Sequence, residues 1–274
     1  MTFLLIPHLR VQAANIQNAS FLLGGPPVLA AYFFAHALGR KVNFQAPKVA
    51  LVHHYIQPKG QVGAYGIFYP QQRRGASFTY GASVGRDYSS KNKHALSLQP
   101  VATADMCVSL IIEVQGLRSL QGIETLLFGA RFSGGTIVSA GKCKTSSSFE
   151  ESLGDVPSGY VVLDRRDILE TRSGKDQAEL FVEALGAVPK SDSNMTWLSA
   201  TNLGYAAISS FENRVGAREG YKHAFAEPLV GIVQYRSVRD CRQLQPEQML
   251  WQSEWIGEDI FRVVQKKIDK GEGE

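Results

Sequence analysis

Histidine is the side chain best suited to proton transfer near neutral pH, and three of the six histidines stand where spacing is informative. His53 and His54 are neighbours in a segment that reads as a strand. Their side chains then point to opposite faces, which does not suit shared metal ligation. His36 precedes Arg40 by one helical turn. It reads either as a core residue satisfied by a backbone carbonyl or as a polar contact at a helix end. A histidine also suits the base of a metal-free ribonuclease, but no partner stands at a telling spacing. The His-Glu-x-x-His, Gly-x-Ser-x-Gly and Walker motifs are absent. No catalytic residue, metal ligand or cofactor is assigned.

Other residues suit a nucleic-acid partner. Between Gln57 and Pro100, aromatic and basic residues interleave with glycines: Tyr65, Phe68, Tyr69, Arg73, Arg74, Phe78, Tyr80, Arg86, Tyr88, Lys91 and Lys93, with Asp87 the only acid. Cations neutralise phosphates, rings stack on bases, and glycines permit close approach. The same composition equally suits a solvated loop whose rings pack back on the body. Arg10, Gln12 and Asn15, followed by Asn18, form a second polar set. Amides read base edges or cap turns, and both readings stay open. Arg131 precedes Gly134 and Gly135, a pair that lets backbone approach RNA or simply ends a helix in a turn.

These residues need elements to position them. Thr2–Val11 reads as a strand, with Pro7 placing it at or near a sheet edge at that point. After Gly24-Gly25-Pro26-Pro27, the apolar run Val28–Leu38 reads as a well-buried helix closed by Arg40 and Lys41, where cations suit the helix dipole. Val49–Ile56 is a second strand, Asp105–Val114 a third, Leu117–Phe128 a helix and Thr136–Ala140 a fourth strand. The order β-α-β-insert-β-α-β is the ferredoxin-like (RRM-type) one, in the α+β class. Lys144–Gly154 reads as an exposed linker, and Ala187–Asn194 as a turn or linker. Tyr160–Leu163, Trp197–Ile208 and Phe225–Tyr235 read as strands. Asp167–Glu170, Lys175–Leu185, Pro246–Trp255 and Glu258–Ile268 read as helices, followed by a frayed tail. The expected division is a core over 1–143, carrying the insert at 57–103, and a smaller α/β extension over 144–274 packed on it.

The whole chain sets bounds on these readings. Its 274 residues, 44% hydrophobic and 20% charged, are enough for a buried core. A net charge of +4 permits an anionic partner without requiring one. Cys107, Cys143 and Cys241 lie far apart, which fits reduced thiols in a cytoplasmic setting. The short apolar start lacks the basic residues of a signal peptide, and no apolar stretch reaches membrane-spanning length.

Read together, the segments resemble the subtype I-F CRISPR effector-complex subunits of the Cas-five type, the second Csy protein family. Leu5-Ile6-Pro7-His8-Leu9-Arg10-Val11-Gln12-Ala13-Ala14-Asn15 is similar to that family's first strand. Gly25-Pro26-Pro27 through His36-Ala37-Leu38-Gly39-Arg40 resembles its Gly-x-Pro…His-Ala-Leu-x-Arg helix. Phe132-Ser133-Gly134-Gly135-Thr136-Ile137 resembles its Gly-Gly turn, and Gly159-Tyr160, Trp197-Leu198, Gly204-Tyr205 and Ala217-Arg218-Glu219 follow in the family's order. The resemblance implies a RAMP fold with a thumb between the second and third strands. It implies a crRNA-binding subunit without nuclease activity that holds the crRNA 5′ handle and contacts the CRISPR backbone subunit. A large subunit or target DNA are further partners it allows, and no membrane is involved. Arg10, Arg40, Arg73, Arg74 and Arg131 are assigned to phosphates or stacking, Gln12 and Asn15 to bases, and Arg218 either bridges RNA or braces the turn before Phe225. Asn18, His36, Gly134 and Gly135 complete the RNA-binding set. Ala13-Ala14-Asn15 lacks one family amide, and Val233-Gln234-Tyr235 replaces Gly-Glu-Trp, departures that point to a divergent variant system. The alternatives are a RAMP endoribonuclease that processes pre-crRNA and a backbone subunit repeated along the guide.

Overall fold

The computed structural model describes residues 1–19, 22–71, 73–74, 98–99, 102–170, 176–186, 196–217 and 220–266, with backbone alone at 73–74 and 98–99. The chain opens with strand β1 (Thr2–Asn15), the short strands β2 (Gln17–Ala19) and β3 (Leu22–Leu23), and helix α1 (Val28–Val42). Arg40 and Lys41 occupy the last turn of α1, and Asn43 ends it in the left-handed conformation. Strand β4 (Gln45–Pro58) then leads into the hairpin β5 (Gly60–Val62) and β6 (Phe68–Pro70), and the pair β7 (Arg73–Arg74) and β8 (Leu98–Gln99). The body of the expected insert, 75–97, lies outside the described residues.

Strand β9 (Thr103–Gln115) precedes helix α2 (Ile123–Leu127) and strands β10 (Arg131–Phe132), β11 (Gly135–Ser139) and β12 (Lys144–Ser146). The rest comprises α3 (Phe149–Gly154), β13 (Tyr160–Asp164), α4 (Asp167–Glu170), α5 (Gln177–Leu185), β14 (Leu198–Ala207), β15 (Ala226–Ser237), α6 (Val238–Cys241), β16 (Trp251–Ile256) and β17 (Ile260–Val264). The fold is mixed α/β and mostly antiparallel sheet.

Eleven of these strands form one sheet in the order β10-β11-β1-β9-β4-β13-β15-β14-β17-β16, with β12 also on β1. Period-two alternation gives β1, β9 and β4 two apolar faces. Leu4, Ile6, Leu9, Val11, Met106, Val108, Leu110 and Leu51 pack under α1 and α2. Phe3, Leu5, Ile111, Ala50 and Val52 pack on the other side against Phe149 and Leu153 of α3 and Val238 and Cys241 of α6. Strand β4 gives one edge to β9 and shares the other between β13, at Val52 and His53, and β16, at Lys48 and Val49. The path β4-β13-β15-β14-β17-β16 therefore closes back on β4. Trp251 lies fully buried at this closure, its indole N–H donating to the carbonyl of Val162 at 3.2 Å.

Four expectations are corrected. Pro7 does not mark a sheet edge, because β1 has partners on both sides. Its missing N–H falls between the β12 pairing at Phe3–Leu5 and the β11 pairing at Arg10–Gln12, where the β9 register also shifts. The helix expected over Leu117–Phe128 shrinks to Ile123–Leu127, because Gly116 and Gly122 turn left-handed and reset the chain. Lys144–Gly154 is no exposed linker: it holds β12 and α3, capped by the Ser148 side chain accepting from the Glu151 N–H. The C-terminal helices are instead the hairpin β16–β17, since pairing with β4 and β14 outweighs local preference.

Candidate functional site

Two β-bulges set the geometry of β1. Its register against β9 shifts between Ile6 and Leu9 and again between Val11 and Ala14. The extra residues, His8 and Ala13, sit at φ 48 and φ 54, a left-handed strain for side-chain-bearing residues. Each freed N–H is taken by a β9 side chain. His8 donates to Ser109 Oγ at 2.9 Å and Ala13 to Asp105 Oδ1 at 2.8 Å. Burial alone would raise the Asp105 pKa, but the Ala13 N–H and the Lys59 ammonium at 3.0 Å hold it below the ordinary value.

Between and beyond these bulges the outward side chains of β1 are Arg10, Gln12 and Asn15, all exposed. Arg10 lies over Cys107, whose thiol is pushed up by burial and drawn back by the guanidinium. The turn between β10 and β11 packs against this segment. Asn15 N–H donates to Ser133 at 2.7 Å, and Ser133 Oγ donates back to the Asn15 carbonyl at 2.9 Å. Arg131 braces the turn by donating to the Gly134 carbonyl at 3.0 Å. Gly134 supplies a positive φ of 75. Gly135 supplies close approach, since a Cβ there would lie 2.6 Å from the Ala14 nitrogen and the Gln12 carbonyl oxygen.

Arg10, Gln12, Asn15, Arg131, Gly134 and Gly135 thus share one end of the sheet. Asn15 and Asn18 are engaged in turn chemistry there: Asn15 Oδ1 accepts from Gln17 N–H at 3.0 Å, and Asn18 Nδ2 donates to the Gly24 carbonyl. His36 and Arg40 are not brought to this set. They sit near the C-terminal end of α1, across the sheet from Arg10. His36 is half-buried beside Tyr32 at 4.6 Å, its pKa lowered first by burial and then by Arg40. Arg73 and Arg74 lie on β7, with their side chains outside the description, and Arg218 lies outside the described residues.

Two groupings escaped the sequence reading. His8 lies against His54 with centroids 4.4 Å apart and planes tilted by 35°, and Cys107 Sγ lies 4.0 Å from His8 Nδ1. His54 meets Ser109 Oγ at 2.7 Å through Nε2, and its other ring nitrogen donates to the Ser158 carbonyl. Burial, then the neighbouring His8, lowers the His54 pKa to about 4. A serine, a neutral histidine and an orienting carbonyl are the parts of an activated nucleophile. Here Ser109 is 0% exposed, so the group holds the first bulge and offers no hydroxyl to a substrate. His53 points to the opposite face, stacked on Tyr235. The second grouping is a column of rings ending at Trp197 and Tyr160, at the same end of the sheet. A bulge or a ring stack between distant strands leaves no periodic signal, so neither was visible beforehand.

At the far end of β4 a cavity of about 350 Å³ is lined by Lys48, Arg166, Glu254 and Arg262. Three of its four cations are answered by carboxylates, Lys48 by Glu113, Arg166 by Asp164 and Arg262 by Glu254, and the fourth is the exposed Lys266. The three cysteines are free and buried. Among the described residues no cluster of His, Cys, Asp or Glu could hold a metal, and no helix is long and apolar enough to cross a membrane.

No curated protein matches the chain. The family model described as CRISPR-associated protein (Cas_Csy2) matches residues 4–188, more than half of the sequence, and takes in β1 with its bulges, the Gly134–Gly135 turn and Tyr160. The chain therefore belongs to the Cas_Csy2 family of subtype I-F CRISPR-associated proteins.

Proposed function

We propose that the chain is a non-catalytic crRNA-binding subunit of a type I CRISPR surveillance complex. In this reading it holds the crRNA 5′ handle and anchors the neighbouring backbone subunits. Family membership supports a place in the complex. The strand order β11-β1-β9-β4, with α1 and α2 as the two crossovers, supports a ferredoxin-like RAMP core over 1–143. The insert between β4 and β9, opening with the exposed β5–β6 hairpin, supports a thumb. Residues 144–274 form the extension.

The observation that carries the reading is the outer end of β1. Arg10 and Gln12 are exposed in line on a strand that has neighbours on both sides, and a glycine turn closes against their backbone. Arg10 and Arg131 supply positive charge for phosphates, and Gln12 offers an amide free to meet a base edge. His36 and Arg40, at the other end of α1, form no part of this surface.

The test is to titrate the purified chain with fluorescein-labelled repeat RNA across a salt series and to run the RNA on a denaturing gel. Binding without cleavage is expected, with or without magnesium. Arg10→Ala should flatten the log–log salt slope by about one unit. Specific cleavage that vanishes in His8→Ala would replace this reading with the endoribonuclease one. An unchanged slope in both Arg10→Ala and Arg131→Ala would show that β1 is not the RNA surface.

A further inference from the structure

Trp197 stands where a tryptophan is seldom left open. It is 67% exposed, and its backbone is left-handed at φ 60, a costly conformation for a bulky side chain. Neighbouring bonds hold it there. The Trp197 carbonyl accepts from Tyr235 N–H at 3.0 Å, and the Thr196 carbonyl accepts from Gln234 Nε2 at 2.9 Å. The indole lies nearly parallel on Tyr160, with centroids 5.6 Å and planes 20° apart. Tyr160 meets Tyr235 edge-on at 6.5 Å. Tyr235 in turn stacks on buried His53 at 5.5 Å and meets its Nδ1 at 3.1 Å. The exposed ring is thus braced by a column of rings rooted in the core.

The column stands at the end of the sheet that carries the polar segment of β1. Tyr160 opens β13 opposite His53, Tyr235 lies near the end of β15, and Trp197 immediately precedes β14. Strand directions alternate, so these positions lie toward the end of β4 from which the insert leaves, with Tyr160 level with His53 on β4 and Leu9 on β1. Among the described residues, the open ring of Trp197 is flanked by the polar Thr196 and Gln234. Protein anchors fill pockets, whereas a nucleobase needs only a π-face at the right height.

We infer that Trp197 and Tyr160 form a stacking platform for an unpaired nucleobase of bound single-stranded RNA. This rests on the reading that the chain binds guide RNA, and it adds a contact that charge alone does not supply. The pair carries no base-edge code, so it accepts any base and favours the larger purine face.

Tryptophan fluorescence gives a direct test. The chain has three tryptophans: Trp251 is fully buried, while Trp197 and Trp255 are exposed. Oligo(A) should quench emission in the wild type and in Trp255→Phe, and not in Trp197→Phe. Heparin, a polyanion without bases, should quench none of them. Trp197→Ala should weaken oligo(A) binding about 5- to 150-fold, the range for losing one stacked base, and Trp197→Tyr should restore much of it. Circular dichroism identifies any variant that unfolds, and Tyr160→Leu then serves as the second variant. Unchanged affinity in folded Trp197→Ala, or quenching that survives in Trp197→Phe, would overturn the platform while leaving RNA binding intact. Intact RNA affinity in a variant that no longer joins its complex would also overturn it, because the ring would then be a protein contact. Failure of every RNA to bind the wild type would remove both readings.

Discussion

At the scale of single residues, the two neighbouring histidines His53 and His54 tie stability to pH. The His53 pKa is lowered to about 4, first by burial and then by His54; His54 is lowered to about 4 by burial and then by His8. The folded state therefore binds fewer protons than the unfolded chain, whose histidines titrate near 6.5. Their contribution is complete above pH 6.5 and is lost as pH falls toward 4, by up to about 3 kcal/mol for His53 and less for the half-exposed His54. Thermal melts should show a midpoint that drops across this window, and His53→Phe should flatten the drop. The Gly134–Gly135 turn offers a second residue-scale test. Gly135→Ala puts a methyl against the backbone of β1, for a cost of about 1–3 kcal/mol in denaturant melts. Gly134→Ala meets only the Asn15 Cβ, at an ordinary contact distance of 3.8 Å, and pays only the left-handed strain, about 1–2 kcal/mol. Equal tolerance of both would mean that the turn does not close on β1.

Among the elements, α3 is short and depends on its cap. Ser148→Ala removes the acceptor for the Glu151 N–H and should cost about 1 kcal/mol, read as a lower denaturation midpoint without loss of the fold. This helix also shows where sequence reading succeeded and failed. Strands β1, β4, β9, β13, β14 and β15 were legible because their apolar residues alternate or run unbroken between punctuating residues. Helix α3 was hidden because its serines suggest a linker, while its burial rests on only Phe149, Ser152 and Leu153. The hairpin β16–β17 was hidden because Trp251 and Val263 become core only through strands made earlier, β4 about 200 residues before Trp251 and β14 about 60 before Val263. The candidate site was legible as residue types at Arg10, Gln12, Gly134 and Gly135. It was illegible as geometry, because the bulges at His8 and Ala13 depend on Ser109 and Asp105 a hundred positions away.

For the molecule as a whole, the match to the family ends at residue 188, yet four of the six strands in the closed path lie beyond it. A chain ending at Leu250 loses β16 and β17, leaves half of one β4 edge unpaired and opens the site of Trp251. Such a truncation should accumulate as insoluble protein, because an unsatisfied edge beside apolar surface recruits other chains. Recovery of a soluble, cooperatively melting fragment would show that the closure is dispensable. The same feature has a consequence in time. Val49 leaves the ribosome long before Trp251 is made, a wait of roughly 10–40 seconds at ordinary rates of synthesis. Throughout it, the nascent chain carries a half-finished edge that no later strand has yet covered. The yield of working protein in a cell is then governed by how well that interval is guarded, and not by the strength of the finished fold alone.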